Sequence, residues 1–131
     1  MASRPLLVAA AAVMLFGGLA AISSAGTAQR DVGIDGVTTY PDLSRDHVQP
    51  PVAYPQTPPV GGPHVATWAE CTGTVYDAPV TDEMAVHSME HGAVWITYDE
   101  SVDEAEVAAL IEQVDGVDYR FLSPYPGQPA P

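Results

Sequence analysis

Four histidines carry the chemistry of this sequence, and two of them fall in one short phrase, His87-Ser88-Met89-Glu90-His91-Gly92. The i, i+4 spacing places both imidazoles on one face of a helical turn, with Cβ atoms about 5–6 Å apart. Two rings so placed can reach one metal ion, and neutral imidazole is the commonest protein metal ligand. Glu90 borders the same face and adds a carboxylate. His64 sits on the bend Gly61-Gly62-Pro63-His64, where glycine allows a backbone tight enough to aim a ring inward. His47 lies in Ser-Arg-Asp-His-Val within a proline-rich stretch. The candidate ligands are therefore His47, His64, His87 and His91. Three or four histidines suit Zn, Cu, Ni or Fe, and copper leads the affinity order. Met84, three residues before His87, shares its face as a soft neighbour. The competing reading makes His87 and His91 polar residues that only cap a helix C-terminus.

His87-Ser88-Met89-Glu90-His91 also matches the His-x-x-Glu-His order of inverted zinc metalloproteases. Gly92 and a strand follow at once, which is poor context for a protease helix and cleft. No nucleophile elbow, phosphate loop or dinucleotide fingerprint is present. The single cysteine, Cys71, cannot form an internal disulfide. It reads as a small buried residue, a free thiol or a soft ligand.

The elements that must position these residues follow from patterning. Thr81 is placed to cap a helix from 82 to 91, with Asp82 and Glu83 in its first turn and Gly92 to end it. Ala93 to Tyr98 is the strongest strand pattern. Ser101-Val102-Asp103-Glu104 reads as a capping box opening a helix to Val114, whose apolar face is Val107, Leu110, Ile111 and Val114. Thr72 to Tyr76 and Val117 to Leu122 complete a strand-helix-strand unit of an α+β domain. Trp68 reads as a core or rim anchor. Seven prolines between Pro41 and Pro63 exclude long helices and central strands there. That stretch is expected to be an extended N-terminal wrap docked by Val37, Tyr40, Val48, Val52 and Tyr54.

Arg4 precedes an apolar run from Pro5 to Ile22, followed by small residues to Ala28. This is an export signal, cleaved after Ala25 or Ala28, or an uncleaved apolar helix that anchors the chain in a membrane. Either places the rest outside the cytoplasm. The expected organisation is 1–28 signal or anchor, 29–35 tether and 36–131 domain. All seventeen Asp and Glu lie after residue 30, lysine is absent, and the formal charge is −13. Such a balance excludes nucleic acid as a partner, because phosphate binding needs clustered Lys and Arg.

Gly61-Gly62-Pro63-His64, Trp68, Cys71, Val75-Tyr76-Asp77, Val86 through Ile96 and Ser123-Pro124-Tyr125-Pro126 together resemble the exported bacterial proteins grouped as domain of unknown function 3105. The resemblance covers residues 36–127. It implies an N-terminal anchor or signal followed by one small domain, with histidines matching His47, His64, His87 and His91. It implies no activity. Relatives have Ser-Gly-Pro-His where this chain has Gly-Gly-Pro-His, and many continue into a further strand with a Trp-Gly pair. A closing strand is therefore expected to be missing here. The expected function is extracytoplasmic metal binding, with copper handling first. The alternatives are a non-catalytic envelope interaction module whose partner is a membrane or envelope protein, and a zinc-dependent hydrolase.

Overall fold

The computed structural model describes residues 30–31 and 33–130. The expected N-terminal signal or anchor lies outside them. No helix among the described residues is long and apolar enough to cross a membrane.

The chain order is β1 (Arg30–Asp31), β2 (Thr38–Thr39), β3 (Thr72–Val75), α1 (Asp82–Glu90), β4 (Val94–Tyr98), α2 (Glu104–Val114) and β5 (Arg120–Pro124). The two short strands β1 and β2 pair antiparallel. The other three form a parallel sheet in the order β3-β5-β4. The last strand in sequence is thus the central one. Phe121, Leu122, Ser123 and Pro124 are consecutively buried, as a parallel strand covered on both faces must be. α1 packs against β4, and α2 packs against β5 and β3.

Side chains alternate along β5. Phe121 joins Ala69, Ala85 of α1 and Ala93 in the apolar cluster, with Cys71, Tyr76, Val80, Met84 and Trp95 packed against it. Trp95 stacks on Phe121 at 5.8 Å between centroids, and its Nε1 donates to Ser123 Oγ at 3.0 Å. The indole polar atom is thereby satisfied where its ring is half-buried.

Several local differences from the sequence expectation have physical causes. α2 begins at Glu104 because Asp103, not Ser101, is its cap: Asp103 Oδ1 accepts from Glu106 N at 2.9 Å. The strand expected at 117–122 runs instead from Arg120 to Pro124. Tyr119 has φ 60°, which delays its start. At its far end, a proline is tolerated on the last residue of the ladder, where Tyr125 N resumes bonding to Tyr98 O. Gly73 is the extra residue of a bulge between Thr72 and Thr74. Its φ is 77°, and a Cβ there would collide with the backbone nitrogens of Gly116 and Val117. Trp68 lies at the rim, 57% exposed. Cys71 is half-buried, and burial, then the charges of Glu70 and Asp118, push its thiol pKa up.

Candidate metal centre

α1 supplies His87 from its last turn and His91 from its C-cap. Ala85, Val86, His87 and Ser88 are its buried residues, which fixes the inward face. Ser88 Oγ donates to Ala69 O at 2.7 Å, and Ala69 N donates to Met84 O at 3.2 Å. These bonds hold the segment after His64 along the helix. Val65 O is thereby brought to His87, whose Nδ1 donates to it at 2.8 Å. One turn on, His91 ends the helix. Gly92, at φ 92°, closes it with its N–H on Met89 O.

The other two histidines come from irregular chain. His47 and His64 are partners in an isolated parallel bridge. Val48 N donates to His64 O at 2.8 Å and His64 N donates to Asp46 O at 3.0 Å. The bend before His64 runs through Gly61 and Gly62 at φ 146° and 125°. Tyr54 anchors that bend by donating its hydroxyl to Pro63 O at 2.6 Å. Burial, with Glu83 and Asp82 nearby, pushes the Tyr54 pKa up to about 12, so the hydroxyl stays a donor.

The rings of His47, His64 and His87 form a triangle, with centroids 5.1, 5.0 and 4.8 Å apart. The His91 ring stacks beyond His87 at 4.9 Å. Two groups result. His47, His64 and His87 present ligand atoms all within 4.8 Å of one another, and so do His87, Glu90 and His91. His87 belongs to both. Among the described residues, Cys71 belongs to neither, and Met84 packs against the apolar cluster. Every donor in the two groups is a nitrogen or a carboxylate oxygen.

The hydrogen bonds fix which nitrogen is available. A carbonyl oxygen only accepts, so Nδ1 of His87 carries its proton toward Val65 O. Nδ1 of His64 does the same toward Gly62 O at 2.9 Å. In each neutral ring Nε2 then carries an acceptor lone pair. Metal-ligating histidines commonly donate their second nitrogen to a backbone carbonyl in this way. His64 is fully buried, and its Nε2 has no hydrogen-bond partner. Buried polar atoms are almost always paired, so this atom calls for a partner. Nε2 of His87 lies 3.0 Å from Nε2 of His91 and accepts a hydrogen bond from it. That separation lies between the cis edges of a square-planar and a tetrahedral ion, about 2.9 and 3.3 Å for metal–nitrogen bonds of about 2.0–2.1 Å, so an ion can replace the shared proton. The donor set therefore fits a borderline transition metal.

The outer rim is more open. The His91 side chain is 65% exposed; Glu90 Oε2 lies 3.5 Å from its Nε2, and Glu90 Oε1 lies 3.8 Å from Arg45. Arg45 and Glu90 also line a cavity of about 460 Å³ with Tyr40, Gly62 and Met89. The carbonyls of Gly62 and Val65, which orient the rings, carried no signal in the sequence, since any residue type supplies one. The Arg45 contact depends on the fold and was equally unreadable.

A small parallel-sheet domain with a histidine cluster at the end of its first full helix is the class defined by this geometry. The chain belongs to the family described as "Protein of unknown function (DUF3105)", whose sequence model matches residues 47–131. No curated protein and no solved structure matches it.

Proposed function

We propose that this is an extracytoplasmic protein that binds one transition-metal ion within the cluster His47, His64, His87 and His91, whose ligand atoms form two overlapping groups sharing His87. Copper handling is the leading role, with Cu(II) ahead of Zn(II). The observation that carries the reading is the fully buried His64 Nε2, which has no hydrogen-bond partner and whose ring tautomer leaves it a lone pair. Cu(II) stands first because it heads the affinity order for nitrogen and oxygen donors. The oxidising location expected from Arg4 and the apolar run to Ile22 agrees with the divalent state.

The test uses the full chain without a histidine tag, in mild detergent. Metal content is measured by mass spectrometry after exposure to Cu(II) or Zn(II) and desalting, with thermal melting in parallel. One ion per chain and a raised melting temperature are expected. His87→Ala should weaken binding far more than His47→Ala, since His47 is exposed. Absence of bound metal together with unchanged melting would overturn the proposal.

A further inference from the structure

The two ligand groups share a single atom. Nδ1 of His87 is committed to Val65 O, so its Nε2 offers one lone pair and can serve one ion at a time. The groups on either side of that atom differ in kind. His47, His64 and His87 offer only nitrogens, two of them on buried rings. His87, Glu90 and His91 include a carboxylate and a ring open to water. From these facts we propose that the protein has two metal positions pivoting on His87: an outer loading position of His87, Glu90 and His91, and an inner seat of His47, His64 and His87. The proposal rests on the metal-binding reading above.

An aquated divalent ion cannot shed its water shell before gaining ligands without a large desolvation cost. At the outer position it gains two nitrogens and a carboxylate while keeping waters on the exposed side. It then exchanges Glu90 and His91 for His64 and His47, with His87 bound throughout. The acidic chain raises the local concentration of cations. Arg45 balances Glu90 at 3.8 Å before the ion arrives and yields the carboxylate to it. His91 and Glu90 thus set the rate of exchange, and His64 sets the affinity.

Loading and release share one route, so removing the outer position must slow both by the same factor. The experiment is stopped-flow quenching of tryptophan fluorescence by glycine-buffered Cu(II) in the full-length protein; the Trp68 ring lies 5.8 Å from His87 and reports the site. For His91→Ala and Glu90→Gln, association and dissociation should each fall about tenfold or more, leaving Kd within about threefold. For His64→Gln, which keeps the side-chain bulk, Kd should weaken about 100-fold, with association nearly unchanged. Arg45→Gln should speed association. If His91→Ala weakens Kd as much as His64→Gln with association unchanged, His91 is a holding ligand and the two-position proposal fails while metal binding stands. If Arg45→Gln slows association as Glu90→Gln does, the electrostatic account of loading fails. If the unaltered protein takes up no Cu(II), the underlying metal reading fails with it.

Discussion

His87 and His91 are held by a helix, whereas His47 and His64 are held by two backbone hydrogen bonds between segments far apart in sequence. The helix pair sits on α1, whose inner face is fastened to the sheet by Ala85, Ala93 and Phe121. The other pair stands in proline-rich chain and depends on one isolated bridge, the Gly61-Gly62 bend and the Tyr54 hydroxyl. The contrast shows two ways to bring rings together. One is local and survives as long as the helix survives. The other must be closed across a long loop, at an entropic cost that an ion binding both segments helps to offset.

The largest effect should come from the sheet. Phe121→Ala empties the center of the cluster and should cost about 3–5 kcal/mol in urea denaturation. Both histidine pairs should then lose the metal together, because α1 loses its support. Next comes the metal itself. Cu(II) at about 100 times its Kd should stabilise the protein by about 2.7 kcal/mol, and His64→Gln should remove most of that gain. A proteolysis time course should show the gain most clearly between residues 48 and 63.

A smaller change isolates the second pair. Tyr54→Phe deletes the bond to Pro63 O and should cost about 1 kcal/mol. Metal affinity should fall with it, while the far-ultraviolet dichroism of the helices stays unchanged. The smallest effect lies away from the site. A backbone hydrogen bond from Gly127, then bonds from Ser101, hold the Asp99 carboxyl below its usual pKa. Its contribution to stability is therefore present above the unfolded value of about 3.9 and is lost as pH falls through the folded one. Asp99→Asn should flatten the acid limb of the stability profile and leave metal binding untouched.

The local half of this molecule was legible from the chain. α1 spans Asp82–Glu90 where the first-turn acids and Gly92 placed it, with Thr81 at the N-cap position but making no side-chain capping bond, and β4 follows as the run of β-branched and aromatic residues indicated. α2 ends at Val114 as expected, though its cap shifted to Asp103, because Ser101 N is instead tied to Asp99. Strand order was not legible. Only the assembled sheet puts β5 at the center, and Ser123-Pro124, which reads as a breaker, is buried there because its side chains face covered surfaces rather than water. The candidate site divides the same way. The proximity of His87 and His91 follows from helical spacing. The approach of His47 to His64 follows from a backbone bridge that side-chain identity does not encode. The availability of Nε2 on His64 and His87 follows from two carbonyls, a feature common to every residue.

The most direct test of the account is X-ray absorption at the metal edge of the full-length protein loaded with one equivalent of Cu(II). An inner shell at about 2.0 Å containing at least three imidazole nitrogens, reduced by one in His64→Gln, is expected. A shell of oxygens without imidazole scattering, or a spectrum unchanged by His64→Gln, would contradict it.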